Sequence, residues 1–87
     1  MNIDISKIEK ILRKLKRKDH SLFTAVNNKI AQIAEMDITA IMHLKNLRHD
    51  LSHLKRFQIG SFVLTFSVKE NTIIFDDLDH HDRIYIK

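Results

Sequence analysis

The sequence contains no cysteine, no proline, no tryptophan and a single glycine, Gly60. Without cysteine there are no disulfides, no thiol catalysis and no cysteine-ligated zinc. One glycine cannot build the glycine-rich loop that cradles phosphates in nucleotide-binding proteins. Aromatic residues are few, five Phe and one Tyr. Most sit in phase with a buried core, so the chain offers no platform for stacking bases. No apolar run approaches the roughly 18 residues that a membrane span needs. The first residues, MNIDISKIEK, carry charges where a signal peptide has its apolar centre, so we expect a cytoplasmic protein.

What is present suits one domain spanning residues 1–87, a size that buries about 60–65% of its unfolded surface. The formal net charge of +4 is unevenly spread. Through Gln58 there are 12 Lys and Arg against 6 Asp and Glu; from Ile59 onward there are 3 against 5. A basic body with an acidic end suits an anionic partner approaching one side, such as RNA, DNA or an acidic protein.

Two helices are written into the first half. Ser6 and Glu9 form a capping-box pattern, and Ile8, Ile11, Leu12 and Leu15 then line one helical face. Lys10, Arg13, Lys14, Arg17 and Lys18 occupy the other. RKDHS reads as a turn, with Asp19 or Ser21 capping a second helix whose stripe is Leu22, Phe23, Val26, Ile30 and Ile33 and which fades near Met36. The result is a helical hairpin over about residues 6–36. DITAIMHLKNLRHDLSHL predicts one short helical turn followed by irregular chain.

From Leu54 the apolar period becomes two, and LKRFQI, FVLTFSV and TIIFDDL read as strands over about 54–87. Gly60-Ser61 suits a type II′ hairpin turn. Lys69-Glu70-Asn71 suits a slightly longer one, with Asn71 in the left-handed conformation. RIYIK is expected to add a last strand, and NIDI a short N-terminal edge strand. The fold class is α+β: an N-terminal helical hairpin followed by a twisted antiparallel meander.

The densest chemistry lies in DDLDHHDRIY, residues 76–85. Continued as a strand, it puts Asp79, His81, Arg83 and Tyr85 on one face, and His80, Asp82 and Ile84 on the other. Histidine titrates near neutrality and can give or take a proton, so the first set is an acid–base cluster in which Asp79 would orient His81. The competing reading is a salt-bridged strand edge. Adjacent His80 and His81 point apart and do not chelate one ion, and His43, His49 and His53 lie elsewhere, so we expect no metal and no other cofactor. Lys45, Arg48, Lys55 and Arg56, around the first strand of the meander, are the candidate phosphate-binding residues, joined by the cations of the first helix.

The order of elements, and the motifs within it, resemble the RelE/ParE toxin superfamily. Arg56, Ile59, Gly60 and Phe62 fill its Arg-x-x-(Val/Ile)-Gly-(Asp/Asn)-(Tyr/Phe) pattern. NTIIF is similar to the next strand, and His80, Ile84 and Tyr85 fill its terminal His-x-x-x-(Val/Ile)-Tyr. The resemblance implies a toxin that cuts mRNA on the ribosome, with His80, His81, Arg83 and Tyr85 as catalytic candidates. Its implied partners are the ribosome, mRNA and a small antitoxin, which the basic body suggests is acidic. The chain departs from mRNA-cutting members at Val63, where they usually carry arginine, and at Asp79, where they often carry a basic residue. His81 also stands in place of an arginine. These departures keep a second reading open: a catalytically degenerate relative that acts by binding protein or nucleic acid, the gyrase-poisoning type included.

Overall fold

A computed structural model describes residues 2–44 and 54–84. Strand β1 (Asn2–Asp4) leads into helices α1 (Glu9–Lys18), α2 (His20–Glu35) and α3 (Ile38–Met42). Strands β2 (Lys55–Ile59), β3 (Phe62–Lys69) and β4 (Thr72–His80) follow, and a helical turn, α4 (His81–Ile84), ends the described chain. The α+β class, the helical hairpin and the meander are as the periodicity implies.

Helix α1 buries Ile8 and Leu12 and half-buries Ile11 and Leu15, the four positions of its apolar stripe. The expected capping box does not form. The backbone N–H and hydroxyl of Ser6 both donate to Asp4 Oδ1, at 2.9 and 2.6 Å, and Ile8 at the helix start has no side-chain cap. The carboxylate of Asp4, two residues away, takes both donors of Ser6 by a short local turn and leaves none for Glu9. Those bonds turn the chain from β1 into α1, and they hold the Asp4 carboxyl below its usual value. The hydroxyl of Ser6 contributes most, then its N–H, and the charge of Lys7 less.

Asp19 alone separates α1 from α2 and accepts from Leu22 N at 3.1 Å, a cap worth about 1 kcal/mol. Val26, Ile30 and Ile33 form the buried ridge of α2. The short helical turn expected after it is α3, capped by Asp37 on Ala40 N at 2.8 Å. It buries Ile41 and leaves Ile38 and Met42 exposed.

The strand order is β1-β4-β3-β2. β2, β3 and β4 form the expected antiparallel meander. β1 is the expected edge strand, but it runs parallel to β4, pairing Asn2 with Thr72 and Asp4 with Ile74. A parallel pair needs a long connection, and here nearly the whole chain supplies it. Gly60 has φ +59°, as the first position of its turn requires. In the second hairpin Lys69 joins the ladder opposite Thr72, which leaves a two-residue loop. The left-handed position therefore falls on Glu70, at φ +58°, and not on Asn71.

A bulge sets the phase of β4. Thr65 pairs with Asp77 while Phe66 pairs with Phe75, so Asp76 is an extra residue. Phe75 and Leu78 are three apart, a spacing that puts two residues on opposite faces of a regular strand. The bulge brings both into one core with Ile59, Leu64, Phe66, Ile73 and the helical ridges. The expected last strand RIYIK is absent among the described residues: β4 stops at His80, and Arg83 and Ile84 lie in α4.

The turns generate two substitutions of opposite sign. At Gly60 an added Cβ meets nothing within 4 Å, so Gly60→Ala costs only backbone strain, about 1 kcal/mol. Glu70→Gly relieves the same strain and should stabilise by up to about 1 kcal/mol, the gain reduced by glycine's entropy. Chemical denaturation of both variants checks the signs. Asp4 generates a third prediction. Its folded pKa lies below the ordinary 3.8, so its stabilisation is complete above the unfolded value and is lost as pH falls through the folded one. In NMR titrations the Asp4 carboxyl should titrate below the usual range, and Ser6→Ala should move it upward.

Candidate functional site

With the helices packed on one side, the residues of opposite phase line the other face of the sheet. The register stacks them in two rows, Arg56–Thr65–Asp77 and Gln58–Val63–Asp79. Both aspartates owe this placement to the bulge, since without Asp76 their phase would be reversed. Val63 and Thr65 are fully buried here, and the Thr65 hydroxyl donates to the Asp77 carbonyl at 3.3 Å. An open groove of about 240 Å³ runs beside them, lined by Leu44, Arg56, Phe57, Gln58 and Val63. Of the sequence-derived candidates, Arg56 belongs to this strip. Lys55 has the opposite phase, and its ammonium donates to the carbonyls of Met42 and Leu44, at 3.2 and 3.3 Å, at the end of α3. Lys45, Arg48 and Tyr85 lie outside the described residues.

At the end of β4 the shared strand face expected for Asp79, His81 and Arg83 does not exist, because the chain leaves the strand after His80. His81 N donates to the Ser61 carbonyl at 2.8 Å, which ties the new turn to the β2–β3 hairpin. One helical turn then brings Arg83 back to Asp79, with Nε donating to Oδ1 at 2.9 Å. Asp79 therefore orients an arginine, and the strand alternation that would have set it beside His81 ends at His80. The carboxylate beside the imidazoles is Asp82, 3.6 Å from His80 Nδ1 and 3.7 Å from His81 Nδ1. His80 faces the helical side. Its ring stands edge-on to Phe62 with centroids 5.6 Å apart, and its Nδ1 accepts from Asp82 N at 3.2 Å. That bond leaves the ring proton of a neutral His80 on Nε2. The side chain of His81 is about half exposed. Among the described residues no group of three His, Asp or Glu side chains could hold a metal ion.

Gln58, Thr65 and Asp82 are parts of this constellation that the sequence reading did not single out. The three-residue spacing of Phe75 and Leu78 was the available signal for the bulge, and Asp79 with Arg83 at i,i+4 was the signal for the helical turn.

A second feature lies on the opposite side of the molecule. Helix α1 holds six Lys and Arg against Glu9, a net +5 in a chain of net +4, so the remainder sums to −1. Only Arg13 has an acidic partner among the described residues, Glu9 at 3.7 Å. Lys10/Lys14, Arg13/Arg17 and Lys14/Lys18 are like-charged i,i+4 pairs, each unfavourable by about 0.2–0.5 kcal/mol.

No family model matches the chain, and no solved structure matches it. It is 46% identical over 83 residues to a protein of Methanocaldococcus jannaschii named "Putative toxin RelE4", covering 92% of this chain and 84% of that one. Over 44 residues it is 48% identical to a protein of Methanosarcina mazei whose name assigns no function, covering 47% of this chain and 51% of the other. By the likeness to the first of these, which runs through helices and sheet alike, the chain belongs to the RelE family of toxins.

Proposed function

We propose that the chain is the toxin of a toxin–antitoxin pair and that it cuts mRNA held on the ribosome, without a metal. The observation that carries this reading is the polar strip of the sheet. It sets Arg56 on one strand and ends in a turn that presents His81 and Arg83 at the surface. Cleavage would proceed by attack of the RNA 2′-oxygen on phosphorus with departure of the 5′-oxygen. One group takes the 2′ proton, another protonates the leaving oxygen, and cations stabilise the phosphorane. We assign the proton transfers to His81 and Tyr85 and the phosphate contacts to Arg56 and Arg83, with Lys45 and Arg48 as further phosphate contacts. Lys55, held on α3 carbonyls, contributes through its charge. His80, packed on Phe62, supports the turn.

A second reading, a degenerate relative that acts by binding alone, has one observation in its favour. Asp77 and Asp79 line the strip, and Val63 is buried where mRNA-cutting members of the family usually carry arginine.

The partner that silences the toxin would be a small antitoxin of net negative charge, because the chain's positive charge resides in α1, where among the described residues only Arg13 has an acidic partner. No helix among the described residues is long and apolar enough to cross a membrane, and ribosome-bound mRNA as substrate puts the protein in the cytoplasm.

Expression of the protein alone should arrest growth with loss of intact mRNA, and the antitoxin should relieve the arrest. On purified ribosomes, His81→Ala or Tyr85→Phe should lower cleavage about 10²–10⁴-fold, with melting temperature and chelator insensitivity unchanged. Message left whole by the parent contradicts the nuclease reading and leaves the binding one, whereas a Tyr85→Phe variant as active as the parent contradicts the proton-transfer role assigned to Tyr85. Separately, antitoxin affinity should fall steeply between low and high salt. A basic antitoxin, or binding indifferent to salt, contradicts the assigned partner chemistry.

A further inference from the structure

Asp79 replaces a cation in a strip that we assign to phosphate, and its geometry gives it a task there. We propose that Asp79 is a positioning residue for Arg83, fixing the guanidinium so that its two terminal nitrogens grip an RNA phosphate. The inference rests on the RNA-directed reading of the same strip.

Three observations support it. First, the carboxylate is itself held. Asp79 Oδ1 accepts from His80 N at 2.7 Å as well as from Arg83 Nε at 2.9 Å, and the Asp79 side chain is only 17% exposed. Exposed pairs usually contribute little because two long, mobile side chains must be ordered together, whereas here one partner is short and fixed by the backbone. Second, the turn that carries Arg83 is anchored at both ends, by the His81 N–Ser61 O bond and by Ile84, which is 3% exposed. Third, the pair uses only the Nε–H. Arg83 is 65% exposed, and its Nη1 and Nη2 have no partner among the described residues. A guanidinium tethered through Nε keeps its end-on fork of donors, the geometry that takes two oxygens of one phosphate. The ligand class is therefore the phosphodiester backbone of single-stranded RNA, with Arg56 on the same sheet face as a second cation.

The proposal makes a prediction of unusual sign. If Asp79 were merely a negative charge facing RNA, removing it would tighten binding; if it positions Arg83, removing it weakens binding. The full chain would be titrated with a fluorescent 2′-O-methyl oligoribonucleotide, which binds but cannot be cut. Arg83→Ala should weaken binding about tenfold and reduce the salt slope by about one phosphate contact. Asp79→Ala should weaken it severalfold, and the double variant should bind no worse than Arg83→Ala alone. Asp79→Asn, which keeps shape and an acceptor oxygen, guards against misfolding of the alanine variant. In NMR spectra the Arg83 Nε–H signal, protected from exchange in the parent, should lose protection in either Asp79 variant. Tighter or unchanged binding after loss of Asp79, additive effects of the two residues, or no binding by the parent would overturn the proposal. A parent that binds the oligonucleotide with these variant effects, yet leaves mRNA on ribosomes whole, supports Asp79–Arg83 positioning and overturns only the cleavage reading.

Discussion

The single extra residue in β4 governs what both faces of this sheet present. Phe75 and Leu78 both belong to the core that Ile30, Ile33 and Leu12 build from the helices, and three-residue spacing cannot meet that demand on a regular strand. The bulge at Asp76 meets it. The same shift sends Asp77 and Asp79 to the other face, level with Arg56 and Gln58. Burial of two large apolar side chains is worth several kcal/mol, more than the local loss of a ladder bond. The core therefore dictates the phase, and the chemistry of the far face follows from it.

That far face mixes charges of both signs, while the strongest uncompensated charge lies on α1 behind the helical layer. The two surfaces answer different requirements. In the proposed function the cationic face of α1 would attract polyanions from a distance and without sequence preference, as exposed Lys and Arg do. The strip would work at contact range, where the direction of each donor counts for more than the summed charge. An acidic residue within it is then compatible with phosphate recognition, provided that the acid is used to aim a base.

Elements with an unbroken period were legible in the sequence. The ridges of α1 and α2 and the three strands of the meander follow directly from the positions of Ile, Leu, Val and Phe. What was misjudged turned on competition between neighbouring polar groups. Ser6 bonds to Asp4 and not to Glu9, because the nearer ionised acceptor wins. Glu70 and not Asn71 takes the left-handed position, because the ladder extends one pair further than the turn residues suggest. At the site, alternation was carried past the point where β4 ends. It therefore paired Asp79 with His81, whereas the helical turn gives Asp79 to Arg83 and brings Asp82 to the imidazoles. Of the cations around the first strand of the meander, Arg56 shares the face of Thr65 and Asp77 while Lys55 has the opposite phase, and the motif residues His80 and Ile84 are packed against the body of the protein.

The central claim is that RNA meets this protein on the bulge-phased face of the sheet. The most direct test is to map amide and side-chain NMR shifts while a non-cleavable single-stranded RNA is added. The account predicts that the largest changes fall on Arg56, Gln58, Asp79, His81 and Arg83, with smaller, salt-sensitive changes on α1. Shifts confined to α1, with the strip unmoved at saturating RNA, would contradict it.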